Sequence, residues 1–549
     1  DWHDANNLCA ARYLPAIFFI VKNQTAPITP VTHEIAVQAL SAKARGYGIP
    51  GVSLDGTVPD AIAAAFAWAA DRARKGLGPA LIELVSMRMC GHAHHDDMLY
   101  LGKEPAAGWE YPEPNVQGYA DRQLYARWAE KDPIPNYASR LQAEGILEPG
   151  DLNSFQAAAE RLVSEQTAAV VDGPWPDPQE AGRGVLAGEP DRTRVEPLED
   201  RRPAGADHPG GSLQPEPGPP YDPGGETFLE AIMLGIGDAL EADPRVFLYG
   251  EDIGGRYGNA FLLLRPLLEK HGDRIMNSTL AEGGILGVCT GAALAGQRPI
   301  GEIQFNDFVA SGFNQLVNNA AMVRYRWGGS VPMVVRLPWG GLRHAGPYHS
   351  QNTEPWFYRT PGLKIVAPST PHDARSLMRA AVKDPDPVLF YEHIALYRNP
   401  KIRQKLGPAA ETDVAIGRAA LRRTGDDLLM VSYGAYVHHA MAVAEKLEAD
   451  GIRCSVLDLR SLAPLDREQL LAAARHAGKV LIVHEDSRTG GIGESLAAII
   501  QEEAFESLDA PVRILGALDT PVPYSPPLEE AYLVSESEIE KAARLLAAY

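Results

Sequence analysis

The chain has 549 residues, more than one hydrophobic core supports, so two to four domains are expected. With 45% hydrophobic and 22% charged residues it has the composition of a globular protein rather than a disordered one. A net charge of −20 argues against a nucleic-acid phosphate backbone as partner and favours a basic protein partner.

Four cysteines, Cys9, Cys90, Cys289 and Cys454, are widely spaced and match neither a zinc motif nor a disulfide framework, so a reducing, cytoplasmic setting is expected. The longest apolar runs, Leu14 to Val21 among them, have the length of strands and not of membrane-crossing helices. The chain opens at Asp1 without Met and inside a predicted helix, so the expectation is that its native start lies upstream.

In chain order, Leu14 to Val21 reads as a buried strand, Pro59 to Gly76 as a helix with Pro in its first turn, and Ala80 to Val85 as a strand. This block, 1–172, has the strand–helix–strand grammar of a parallel sheet. From Gly173 to Gly225 the composition turns to Pro, Gly and charged residues, which predicts a linker; a surface loop wrapped on a neighbouring domain is the alternative. The block 226–405 alternates again, with a helix from Thr227 to Leu240, strands at Val246 to Tyr249, Arg298 to Gln304 and Pro332 to Leu337, and a small-residue helix after Glu282. The last block, 406–549, has strands at Leu428 to Ser432, Cys454 to Leu459, Val480 to His484 and Val512 to Leu515. The predicted fold class is α/β, three parallel-sheet domains in series.

On local chemistry alone, Glu282, in Ala281-Glu282-Gly283-Gly284, is either a helix-capping acid or a catalytic carboxylate. His349 and His92 lie in polar, Gly-rich loops, where functional groups concentrate. The run His92-Ala93-His94-His95-Asp96-Asp97 matches no common zinc spacing, and a solvated or phosphate-contacting loop is the better reading.

These segments occur together and in order, and together they resemble the thiamine-diphosphate-dependent component of branched-chain and pyruvate dehydrogenases, with the end of the α subunit and the whole β subunit in one chain. Asp1 to Thr29, with Asn6-Asn7 and Pro15 to Gln24, resembles the second half of the cofactor motif, whose Gly-Asp-Gly half would precede Asp1. Arg88-Met89-Cys90-Gly91-His92 resembles the family's Arg-x-x-Gly-His loop. Gly250-Glu251-Asp252, Ala281 to Gly284, Arg298 to Phe308 and His349-Ser350-Gln351 resemble the β subunit, and Leu518 to Pro523 its transketolase-like C-terminal domain.

The resemblance implies thiamine diphosphate and Mg²⁺ as cofactors, with Asn23 and Thr25 as metal ligands and Asn7, Arg88, His92, Glu251 and Phe308 around the cofactor. It implies Glu282 on the aminopyrimidine nitrogen, with His349 and His92 facing substrate as further catalytic groups. Glu251 has a structural alternative, an acid at a strand end. The implied reaction is oxidative decarboxylation of a 2-oxo acid, branched-chain by the look of Glu302 to Phe308, with acyl transfer to a lipoylated dihydrolipoyl acyltransferase core. A homodimer is the implied minimum, because in the family the cofactor lies between α-like and β-like modules. Two rivals stay open: another thiamine enzyme of transketolase type, and an inactive chain that only binds partners.

Overall fold

The structure is a computed structural model and describes residues 2–26, 29–30, 37–91, 97–104, 111–174, 183–190, 192, 213–255, 258–341, 344–408 and 414–549. It divides into two compact units, Trp2–Pro176 and Asp177–Tyr549. Among the described residues no helix is long and apolar enough to cross a membrane.

In the smaller unit, three parallel strands lie in the order Ile17–Lys22, Ala80–Val85, Gly51–Asp55. The middle strand alternates its core contacts: Leu81 packs with Ala44, Ile49 and Phe18, while Ile82 packs with Ala69, Val52 and Phe66 from the helix Pro59–Arg74 and the neighbouring strands. A strand covered on both faces has to be apolar throughout, which Ala80 to Leu84 satisfies apart from Glu83. The first strand departs from expectation. It starts at Ile17 and is only partly buried: Phe19 and Val21, about half exposed, share one face, while Phe18 and Ile20 on the other face pack against the core.

The larger unit holds a seven-stranded and a five-stranded sheet. The first runs Ser461–Ala463, Lys364–Val366, Val388–His393, Val334–Trp339, Arg298–Glu302, Val246–Gly250, Ile275–Asn277; every pairing is parallel except that of Ser461–Ala463. That short strand comes from the last block of sequence, so the two sheets are stitched together by the chain itself. The second sheet runs Ala420–Arg423, Cys454–Asp458, Leu428–Ser432, Val480–Ser487, Arg513–Ala517, antiparallel only at its first pairing. Phe228–Ala242 starts with a capping box between Thr227 and Glu230 and packs with Pro371–Lys383 on the first sheet, where Ile232, Ile236, Leu377 and Met378 are buried. The chain is therefore α/β with predominantly parallel sheets.

The described end of the predicted linker is not free. Glu216 donates its backbone N–H to the Leu421 carbonyl at 2.7 Å, and its carboxylate takes both Arg460 nitrogens at 2.8 and 3.0 Å. Further upstream Val185 and Leu186 are buried and Ala187 N–H donates to Asp386 at 2.7 Å. The proline-rich segment lies along an open sheet edge, whose unpaired backbone groups and buried arginine give it partners. The wrapped-loop alternative describes these stretches better than the linker does.

Candidate active site

The chemistry-bearing residues of the larger unit gather at the carboxyl ends of its parallel strands, the side where open α/β sheets bind ligands. Glu251 directly follows Val246–Gly250, and Glu282 opens the helix Glu282–Leu294. Ala281, just before that helix, has no side-chain cap; its backbone N–H donates to Glu251 Oε1 at 3.0 Å. Glu251 is buried, and its carboxyl is pushed up to about 7 by burial and then by the charge of Glu282, against the pull of the Ala281 N–H. Two carboxyl groups thus share one corner, and one of them titrates near neutrality.

Ser311 connects this corner to the aromatic side of the cluster. Its hydroxyl lies 2.8 Å from Glu282 Oε2 and 2.9 Å from the Phe308 carbonyl. The Phe308 ring stands edge-on to His349 at a centroid distance of 5.3 Å, and Phe305 meets the same imidazole at 4.7 Å. His349 is therefore held between two rings rather than left to swing in solvent.

The two loops are sewn together by polar bonds. Asn306 donates to the Gln351 carbonyl at 2.9 Å, Gln351 N–H donates to Asp307 Oδ1 at 3.2 Å, and Thr353 donates to Asn306 Oδ1 at 2.7 Å. Burial raises the Asp307 carboxyl above the usual carboxylate range, opposed by backbone donors and by the charge of His349. Beneath them, fully buried Arg336 bridges Glu302 and Glu392, the latter at 2.7 Å through both Nε and Nη2. Tyr397 adds a bond to Glu392 at 2.7 Å. A charge buried this deeply is tolerated only when fully paired, and the pairing locks three neighbouring strands at the floor of the site.

The structure thus brings Glu251, Glu282, Phe308 and His349 together in one linked cluster. Ser311, Phe305 and Asp307 belong to it as well, and sequence reasoning did not single them out. The signal that could have found Ser311 is the Ser311-Gly312 pair. A Cβ on Gly312 would stand 2.4 Å from Leu286 Cδ1 and 3.3 Å from the Glu282 carbonyl, so the turn comes close to the start of the Glu282–Leu294 helix and a larger residue would have to displace Leu286.

In the smaller unit the loops after two adjacent parallel strands carry Asn23 and Arg88. The Asn23 carbonyl accepts the Arg88 N–H at 2.9 Å. Arg88 Nη1 is buried and has no hydrogen-bond partner, an orphaned cationic donor at the carboxyl end of a parallel sheet, which suits an anionic phosphate. Gln24, at φ +65°, turns the chain after Asn23 and donates to the Ser86 carbonyl at 3.2 Å.

Asn7 is exposed on the helix Trp2–Ala11, and Asn6 is the buried member of the pair, donating to the Trp2 carbonyl at 2.8 Å while its Oδ1 has no partner. The helix is turned so that Asn6 and Leu8 face inward, which shifts attention from Asn7 to its neighbour. Thr25 lies in the short strand Thr25–Ala26 paired with Thr29–Pro30, and His92 lies outside the described residues. No cluster of three or more His, Cys, Asp or Glu side chains suited to a metal occurs among the described residues.

Three family models match in series. Residues 1–179 match the dehydrogenase E1 component, 227–400 the transketolase pyrimidine binding domain, and 417–539 the transketolase C-terminal domain. The 2-oxoisovalerate dehydrogenase subunit beta of Bacillus subtilis (strain 168) is 46% identical over 329 residues, 59% of this chain and 99% of that subunit. The pyruvate dehydrogenase E1 component subunit beta of the same organism is 37% identical over 321 residues, 58% of this chain and 97% of that subunit. Subunit beta of acetoin:2,6-dichlorophenolindophenol oxidoreductase from Cupriavidus necator is 37% identical over 329 residues, 57% of this chain and 96% of that subunit. A chain that spans nearly the whole of such β subunits and carries the dehydrogenase E1 component ahead of them belongs to the E1 family of 2-oxo acid dehydrogenases, with α-like and β-like parts fused.

Proposed function

We propose that the chain decarboxylates a 2-oxo acid with thiamine diphosphate and passes the acyl group to a lipoyl group of a dihydrolipoyl acyltransferase core. When bound, the cofactor supplies the carbanion equivalent that the reaction needs beside a carbonyl. The protein's part is to bind, orient and move protons. Glu282 holds the proton at the ring nitrogen of the aminopyrimidine; positioned acid–base help of this kind contributes about 10²–10⁴-fold. The Phe308 ring flanks the pyrimidine, and Glu251, titrating near neutrality, keeps a proton beside Glu282. His349, wedged between Phe305 and Phe308, faces the oxo acid and the lipoyl group.

In the smaller unit, Arg88 is proposed to bind a cofactor diphosphate with its unpaired guanidinium nitrogen, and His92, four residues on in sequence, is proposed to join it. Asn23 and Thr25 would give Mg²⁺ the hard oxygen ligands it prefers, and Asn7 with Asn6 would complete this group.

The single observation that carries the reading is the linked set Glu282–Ser311–Phe308–His349 at the carboxyl ends of a parallel sheet. A branched-chain substrate is favoured by the identity of 46% with a 2-oxoisovalerate dehydrogenase β subunit against 37% with a pyruvate dehydrogenase one. The charge of −20 supports a basic binding segment on the acyltransferase partner. Exposed Leu280, Phe313 and Tyr348 near the site support a homodimer, and four free cysteines support a cytoplasmic setting.

The test is turnover with an artificial electron acceptor, comparing 2-oxoisovalerate, pyruvate, acetoin and a sugar-phosphate pair. Preferential oxidation of 2-oxoisovalerate supports the proposal. Sugar transfer in place of oxo acid turnover would refute it.

A further inference from the structure

Ser311 sits where the carboxylate of Glu282 meets the aromatic side of the cluster, and its chemistry is unusually constrained. Its hydroxyl has an acceptor on each side, Glu282 Oε2 at 2.8 Å and the Phe308 carbonyl at 2.9 Å, but only one proton to give. When Glu282 is ionised, that proton goes to Oε2. When Glu282 is protonated at Oε2, the serine oxygen accepts from the carboxylic acid and its own proton turns to the Phe308 carbonyl. Glu282 therefore keeps a hydrogen bond in both protonation states.

The backbone is arranged to maintain this contact. Ser311 lies in the turn Asn306–Gly312, anchored at its start by Asn306 and Asp307 bonding to the Gln351 backbone. At its end Gly312 comes so close to the helix that a Cβ would lie 2.4 Å from Leu286 Cδ1 and 3.3 Å from the Glu282 carbonyl. On the opposite side Ala281 N–H is taken by Glu251 rather than by Glu282, so the Glu282 side chain is not spent on capping its own helix.

We propose that Ser311 is a positioning residue: it pins Oε2 of Glu282 and thereby presents Oε1 to the aminopyrimidine nitrogen. The assignment rests on the thiamine diphosphate reading above and deepens it. The terminal torsion of a free glutamate is broad, so without the serine bond the carboxylate is free to turn away from the required plane. A carboxylate that loses a donor also binds its proton more tightly.

The chain, with Ser311→Ala and Ser311→Thr variants, is titrated with thiamine diphosphate and Mg²⁺ by calorimetry across the neutral pH range, and assayed with the preferred oxo acid. Loss of a hydrogen bond to a charged group is expected to weaken cofactor binding about tenfold in Ser311→Ala and to lower kcat in similar proportion, with KM for the oxo acid unchanged. The pH at which affinity changes should move upward, and Ser311→Thr, which keeps the hydroxyl, should restore both affinity and pH profile. Wild-type affinity and pH profile in Ser311→Ala overturn the assignment while leaving the decarboxylase reading intact. A loss that threonine does not restore also overturns it, because packing and not the hydroxyl would then be responsible. Absence of cofactor binding by the unsubstituted chain overturns the underlying reading, and the serine assignment with it.

Discussion

Tyr433 donates its hydroxyl to Glu354 Oε1 at 2.8 Å, across the seam between the two sheets of the larger unit. Both residues are buried, and Glu354 Oε2 has no hydrogen-bond partner. Around this pair the seam holds Asp486, the His393–Glu485 pair at 2.6 Å, and Tyr391.

Burial and the nearby charge of Asp486 push the Glu354 carboxyl well above the usual range, and burial with Glu485 and Asp519 pushes Asp486 up to about 7. A carboxyl whose folded-state value is raised binds protons more tightly folded than unfolded, so stability falls as pH rises from its ordinary value toward its folded one. For Asp486 that window runs from 3.8 to about 7. Glu354, raised by the same burial, adds to the fall above its own ordinary value, so Glu354→Gln is expected to make the decline of the urea midpoint with rising pH shallower. At the alkaline end it should stabilise the protein, because no buried charge then has to form at position 354. A wild-type pH dependence in the variant would contradict this.

Arg336 is the floor of the site. Replacing it with Met keeps much of the volume but leaves Glu302 and Glu392 buried without a cation between them, a loss of about 3–5 kcal/mol. Thermal or urea unfolding of Arg336→Met checks this, and a change below about 1 kcal/mol would show the triad to be energetically idle.

Arg88 should act on affinity and not on fold. Because its Nη1 has no internal partner, Arg88→Ala is expected to leave the unfolding midpoint nearly unchanged. Its affinity for thiamine diphosphate, and for inorganic pyrophosphate as a competitor, should fall about ten- to a hundredfold, the worth of a hydrogen bond to a charged group. Calorimetry with both ligands reads this directly.

The proline-rich segment at the start of the larger unit is expected to protect the sheet edge it covers. Glu216→Ala removes a half-exposed partner of buried Arg460, which costs about 1 kcal/mol or less. Hydrogen exchange should speed up at Ala420–Arg423, where Glu216 N–H is bonded to Leu421. Unchanged exchange there would mean that the segment merely lies on the surface.

Much of this architecture is legible in the sequence, because strands such as Ala80–Val85 and Leu428–Ser432 are covered on both faces and read as continuous apolar runs. Glu282 reads locally as a helix-capping acid, and it is the resemblance to the β subunits, not the local pattern, that singles out Glu282 and the loop His349-Ser350-Gln351. What stays hidden depends on geometry finer than a residue pattern. Whether Asn6 or Asn7 faces inward is a rotation of one residue on a helix, to which no apolar period this short is sensitive. Ser311-Gly312 reads as an ordinary turn until the approach of Leu286 is seen. Strand Ser461–Ala463 is too short to announce that it leaves its own sheet and joins the other.

The most direct test of the central claim is turnover by Glu282→Gln, which keeps the size of the side chain and a donor–acceptor end but removes the ionisable group. Oxo acid decarboxylation should fall by about 10²-fold or more while the unfolding midpoint stays at that of the unsubstituted chain. Retention of near-normal turnover by a folded Glu282→Gln protein would mean that no proton passes through this carboxylate, and the site would need a different chemistry.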